Sequence, residues 1–233
     1  MLDDVLDNPS SETTNTEQSL IDSAIELYGQ LGTQAVSLNQ IRKHAKVQNE
    51  AAIRYYFRNK NGLLRRTLQQ IAVELKPALE KMAAQLEAAI EPKSVREVML
   101  NFGIPFLGIY YARPNSINFI GALIREEGRF GQDLLAEIFG ATILRFEEQL
   151  ERALPEKPQP LIHIHFYLAI NNLIHGLGDM SIMQAMPALS EDIKKQANDT
   201  STLVSAFFSY ICAGVEHMPS AEDQAFAEGF MTD

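Results

Sequence analysis

The residues best suited to chemistry in this chain are cationic and aromatic, and they lie close together. The segment QIRKHAKVQNEAAIRYYFRNK, residues 40–60, carries Arg42, Lys43, Lys46, Arg54, Arg58 and Lys60, with Tyr55, Tyr56 and Phe57 among them. Guanidinium and ammonium groups attract a polyanion and release its counterions, and phenol hydroxyls donate hydrogen bonds to phosphate oxygens. Yet the whole chain of 233 residues is acidic, with a formal net charge of -10. The charge is partitioned. Residues 1–15 hold four acids and no Lys or Arg; residues 16–66 hold eight basic and four acidic groups; residues 67–233 hold 12 basic and 22 acidic groups. A small positive module is attached to a large negative one, so one face invites nucleic acid while the remainder repels it and favours solubility.

Other chemistries find no foothold. There is no phosphate-cradling glycine loop, no nucleophile elbow and no HExxH, so no catalytic residue and no cofactor is expected. His163 and His165 are two apart and point to different sides of a helix, and His175 with Asp179 shares a face but supplies only two ligands; no metal is expected. The lone Cys212 cannot form an internal disulfide and reads as an inert buried thiol. No charged-then-apolar leader opens the chain, and no apolar run approaches the roughly 20 residues needed to span a bilayer; the expectation is a soluble cytoplasmic protein with no membrane partner.

The elements that must position the basic segment are helical. Residues 1–15 are polar and acidic without helical period and are expected to form a flexible arm. Leu20, Ala24, Leu27, Tyr28 and Leu31 then mark one face of a helix that Gly32 ends. Ser37 followed by Gln40 is a capping-box signal, and Leu38, Ile41 and Ala45 give a short second helix one apolar face. A third helix is expected from about Asn49 through Ala52, Ile53 and Phe57 until RNKNG interrupts it. Three short helices with a short turn between the second and third form a helix-turn-helix bundle, which inserts a helix into the major groove of a duplex.

The ordering SLIDSAIELYGQLGTQAVSLNQIRKHAKVQNEAAIRYYFRNKNGLL resembles the DNA-binding region of the TetR family of bacterial transcriptional regulators. The likeness covers about 50 residues, carried by the helix ending in Gly32, the entry AVS, Ile41, Ala45, the block YYF, Lys60 and the pair Leu63, Leu64. It implies that Phe57 is a core anchor, that Ser37 caps the second helix beside the DNA backbone, and that Tyr55, Tyr56 and Lys60 contact phosphates. Lys46 stands where the family's turn glycine usually is, and Ala45 to Phe57 is one residue longer than the commonest spacing. Gln48, Asn49, Glu50 and Ala51 are placed at the first turn of the reading helix with Arg54 one turn on. Asn or Gln could pair with adenine, Arg54 with guanine or phosphate, and Ala51 could touch a thymine methyl.

Beyond residue 62 the chain reads as long helices divided by Pro, Gly and Asn: 63–90 with Pro77 as a kink or a boundary, 94–113, 116–128, 131–154, 159–186 and 200–218. The expected architecture is all-α, with a DNA-binding domain over 16–62, a larger helical effector-binding and dimerisation domain over 63–218, and a loose acidic tail over 219–233. The last two long helices are apolar over much of their circumference, which calls for a second copy, and the resemblance implies a homodimer on a palindromic double-stranded DNA operator. Phe102, Phe106, Tyr110, Tyr111 and Phe119 could line an apolar cavity for a small-molecule effector, with Arg125, His165, Asn172 and His175 as polar orienting groups. The function read here is a transcriptional repressor released by an effector. Two other readings stand beside it: an all-helical enzyme or small-molecule carrier whose basic module is structural, and a helical adaptor for a protein partner.

Overall fold

A computed structural model describes residues 9–184, 190–192, 195 and 199–230. Ten helices are delimited among those residues, which contain no strand. The helices are α1 (Pro9–Leu31), α2 (Leu38–His44), α3 (Ala52–Phe57), α4 (Lys60–Glu87), α5 (Val95–Ala112), α6 (Pro114–Glu126), α7 (Gly128–Ala153), α8 (Gln159–Gln184), α9 (Thr200–Glu216) and α10 (Ala221–Phe230).

The head is α1 to α3 closed by the start of α4. Leu20, Ile21, Ala24, Tyr28, Ile41, Ile53, Phe57, Leu63 and Leu64 form its core, and Phe57 is buried there as an anchor. Ser37 caps α2 as its spacing predicts: its hydroxyl accepts from the Gln40 N–H at 3.2 Å, and the Gln40 side chain accepts from the Ser37 N–H at 2.8 Å. Arg66 reaches back from α4 to Glu17 of α1 at 2.8 Å, and His44 of α2 meets Ser23 of α1 at 3.0 Å.

Four expectations are corrected. The helix begins at Pro9, so residues 9–15 belong to α1 rather than to an arm, while residues 1–8 lie outside the described residues. Pro supplies a helical φ at a first position whose N–H needs no partner, and a turn added to an existing helix costs far less than a new nucleus. Leu31 is 56% exposed, and Ile21 and Ile25 are buried in its stead. The cause is that α1 packs on α2 and α4 on one side and on α6 on another, so its apolar stripe is wider than one i, i+4 row. The tail beyond residue 219 is helical over Ala221–Phe230, because Ser220 and Asp223 cap it reciprocally: Asp223 Oδ2 accepts from the Ser220 N–H at 2.7 Å and the Ser220 hydroxyl accepts from the Asp223 N–H at 3.1 Å. The third helix starts late, as described below.

In the body, α4 packs on α5 and α7, while α6, α8 and α9 complete the bundle. Pro77 and Pro105 sit inside continuous helices. Phe102 is the hub, with ring centroids 5.2 Å from Phe106, 5.1 Å from Phe146 and 5.2 Å from Phe166, edge-on or tilted geometries that aromatic quadrupoles favour. The head meets the body where α1 packs on α6. A Cβ on Gly29 would lie 2.3 Å from the Asn115 carbonyl oxygen, so only glycine permits this approach.

Candidate nucleic-acid interface and apolar cavity

The reading segment is shaped by one arginine that looked like a surface cation. Arg42 donates to the Val47 carbonyl at 2.8 Å, to the Gln48 carbonyl at 3.3 Å and to Asn39 Oδ1 at 2.9 Å. It therefore clamps the turn between α2 and α3. Lys46, in the place of a turn glycine, adopts φ 57, the left-handed conformation that glycine adopts without strain. The turn keeps its geometry without the usual residue, and the clamp on its carbonyls offsets the strain.

α3 begins at Ala52 rather than Asn49, with Ala51 as its N-cap residue. Asn49 Oδ1 accepts from the Ala51 N–H at 2.9 Å, an Asx-type turn that competes with an earlier helix start. Gln48, Asn49 and Glu50 thus lie in the turn ahead of α3, all exposed, and Arg54 and Tyr55 lie on its outer face. Pairing both amide groups of Asn49 with adenine requires its bond to Ala51 to open. Tyr55 is 74% exposed and stands edge-on to Tyr56, centroids 4.9 Å apart, while Tyr56 is half-buried against the core. Lys43, Lys46, Arg54 and Arg58 are exposed around this face. Of the six cations in the segment, these four project without a recorded ion pair among the described residues, whereas Arg42 is turned inward.

Lys60 has a partner within the free chain. Its ammonium donates to Glu127 Oε1 at 2.7 Å, across the seam between head and body. The same carboxylate oxygen accepts from Gln34 Nε2 at 2.9 Å, and the neighbouring Glu126 accepts from the Thr33 hydroxyl at 3.0 Å and the Gln34 N–H at 2.9 Å. Burial pushes the Glu127 carboxyl up, but its hydrogen bonds, led by that from Lys60, more than reverse this and hold it below the ordinary carboxylate range. The last turn of α6 therefore grips the loop after α1 and the first residue of α4. Ser37 and Ala51 are exposed beside the reading face.

The body contains a cavity of about 370 Å³ between α4, α5, α6, α7 and α8. Phe102 and Phe106 line it as expected; Leu75, Leu79, Phe139 and Phe166 join them. Its polar wall is not the one expected. Tyr110 is absent from the lining, Tyr111 is exposed, and Phe119 is core, stacked on Tyr28 with centroids 6.1 Å apart. Asn172 is exposed, and the neighbouring Asn171 faces the cavity, because one position along a helix turns a side chain by roughly 100°. His165 meets Lys157 at 2.8 Å, and Lys157 in turn donates to the His217 carbonyl at 2.8 Å, capping the end of α9. Arg125 meets His175 at 3.1 Å in a separate polar pocket between α1, α6 and α8. In place of these, Glu147 and His163 form the polar end of the cavity, with His163 Nδ1 2.9 Å from Glu147 Oε1. The helical spacing of His163, Phe166, Tyr167 and Ile170 on α8 carried that signal.

Along the outer faces of α8 and α9, Ile164, Leu168 and Tyr210 are more than half exposed. Cys212 is buried, and burial pushes its thiol up. Among the described residues no group of three or more His, Cys, Asp or Glu could hold a metal ion, and no helix is long and apolar enough to cross a membrane.

Among known proteins, a family match falls on the head. Residues 20–67 match the family of bacterial regulatory proteins described as the tetR family. The chain is 26% identical over 167 residues to a probable HTH-type transcriptional regulator, YttP, of Bacillus subtilis (strain 168), covering 69% of this chain and 75% of that protein. A TetR-family regulator from Streptomyces coelicolor A3 has a structure that aligns with a TM-score of 0.42 at 16% identity, covering 91% of this chain and 99% of that one.

Proposed function

We propose that the chain, whose residues 20–67 match the tetR family of bacterial regulatory proteins, is a DNA-binding transcriptional regulator of that family, a cytoplasmic, homodimeric repressor whose grip on a palindromic operator is released by a small molecule held in the body. The observation that carries this reading is the exposed cationic face of Lys43, Lys46, Arg54 and Arg58 around α3 in an otherwise acidic chain. Gln48, Asn49, Glu50, Ala51 and Arg54 read base edges, while Ser37, Tyr55, Tyr56 and Lys60 hold phosphates. Lys60 reaches a phosphate only by leaving Glu127. The relatives are regulators rather than enzymes, which fits a body whose cavity binds and does not transform its ligand.

Dimerisation is supported by Ile164, Leu168 and Tyr210, apolar side chains that α8 and α9 leave in water in the single chain. Two heads on one twofold axis double the counterion release and match half-sites about 34–36 Å apart. Release is supported by the position of α6. Ile120 and Ile124 form part of the cavity wall, and Glu126 and Glu127 at the end of the same helix hold the head. A ligand that binds better when the two heads are splayed apart, a change that α6 can pass to the head, weakens DNA binding by the ratio of its affinities for the two arrangements. Footprinting with sedimentation tests the reading: a dimer protecting two related half-sites upholds it, and a monomer protecting a single site contradicts it. A promoter reporter that rises on deletion of the regulator upholds repression; one that falls contradicts it.

A further inference from the structure

The shape and polarity of the cavity say what class of molecule it takes. Its α7 wall is the row Gln132, Ala136, Phe139, Ile143 and Glu147, and its α8 wall runs from His163 through Phe166 and Ile170 to Ile174. These rows are antiparallel, because Glu147 faces His163 at one end while Ile174 lies at the other. From residue 163 to 174 is eleven residues, about 16 Å of helix. The cavity is therefore elongated, with its one carboxylate at the Glu147 end, while the end beside Ile120 and Ile124 of α6 is uncharged, its polar groups being the amides of Gln132 and Asn171.

Glu147 is an unusual group to find there. It is only 8% exposed, and its one recorded partner among the described residues is His163, whose own side chain is 64% exposed. With Glu147 ionised it can only accept, and His163 Nδ1–H is then the donor. A buried carboxylate is costly unless paired, and glutamine would serve a merely structural bond to His163 at lower cost. No Lys or Arg lines the channel. An anionic head group would be buried beside Glu147, and the one basic group there, the His163 imidazole, is already engaged by that carboxylate.

Resting on the reading that this cavity holds the effector, we propose that the effector is an elongated apolar molecule ending in one protonated amine, with its ammonium against Glu147 and its tail beneath α6. The charge selects the head at one end, and the tail bears on the helix that grips the DNA-binding head at the other.

Calorimetric titration of the full chain with decylammonium, 1-decanol and decanoate, all below their aggregation limits, tests this. The ammonium should bind about tenfold or more tighter than the alcohol, and decanoate more weakly still. Glu147→Gln, which keeps a hydrogen-bond acceptor for His163, should remove about tenfold from the ammonium and leave the alcohol nearly unchanged. Gly140 lines the channel, and a Cβ there meets nothing within 4 Å; Gly140→Phe should therefore fill the channel and abolish binding of both. If decanoate or decanol binds as well as the ammonium, or Glu147→Gln leaves the ammonium unaffected, the charge assignment is overturned while the cavity reading stands. If none of the three binds, or Gly140→Phe changes nothing, the cavity reading itself fails.

Discussion

Lys60 has two competing partners, and that competition can be measured. In the free chain its ammonium lies 2.7 Å from Glu127, with the two side chains 30% and 10% exposed. Such a partly buried pair at the seam contributes about 0.7 kcal/mol, within the range for screened ion pairs. Moving two lysines onto DNA phosphates therefore forfeits about 1.4 kcal/mol per dimer, a factor of about ten in affinity. Glu127→Gln should lift that cost and tighten binding to every duplex sequence by about tenfold. Lys60→Ala should act oppositely and flatten the salt dependence. Each lost phosphate contact changes the slope by about 0.9, so two remove about 1.8, and between 50 and 200 mM salt the unaltered protein should lose about 12-fold more affinity than the variant. Fluorescence anisotropy on labelled operator and random duplexes reads both effects. An unchanged slope for Lys60→Ala would show that the ammonium stays on Glu127 in the complex, and a loss of affinity for Glu127→Gln would show that the pair assists DNA binding instead of opposing it.

Three further outcomes follow from the same geometry. Lys46→Gly relieves a left-handed residue at φ 57 and should raise the unfolding free energy measured by chemical denaturation by about 0.5–1 kcal/mol; a fall would show that the lysine side chain stabilises the turn. Gly32→Ala forces a Cβ at φ +86 to 2.5 Å from Glu126 Oε1, so it should cost about 1–3 kcal/mol in chemical denaturation; a neutral result would mean that the seam yields easily. Burial, aided by the charge of Arg125, holds the His175 imidazole below its ordinary value of 6.5. The folded chain then binds fewer protons than the unfolded one just below that value. Stability should fall as pH drops from 6.5 toward the depressed folded value, and His175→Gln should shallow that decline.

The head was largely legible because its determinants are local. Ser37 and Gln40 are three residues apart, Ile41 and Ala45 share a helical face, and Phe57 ends an aromatic block, so spacing alone locates the cap and the core. The start of α3 was misplaced by a local bond of equal range: a single Asn49 side chain accepting from Ala51 holds the chain out of the helix for three residues. Arg42 was legible as a charge but not as a clamp, since its role depends on carbonyls freed by the turn. The cavity's aromatic floor at Phe102 and Phe106 could be read from periodicity. The Glu147–His163 pair, and the bonds of Lys60 and Gln34 to the end of α6, depend on packing between helices distant in sequence. The seam contacts span up to 93 residues, and no local pattern encodes them.

The salt dependence of operator binding tests the central claim most directly. Four exposed cations and Lys60 on each of two heads allow six to ten phosphate contacts, so affinity for a selected genomic fragment should fall about 10³–10⁵-fold between 50 and 200 mM salt. The same fragment should be held at least about 10³-fold tighter than random duplex at physiological salt. A shallow salt dependence, with equal affinity for both duplexes, would contradict the claim that this cationic head reads DNA.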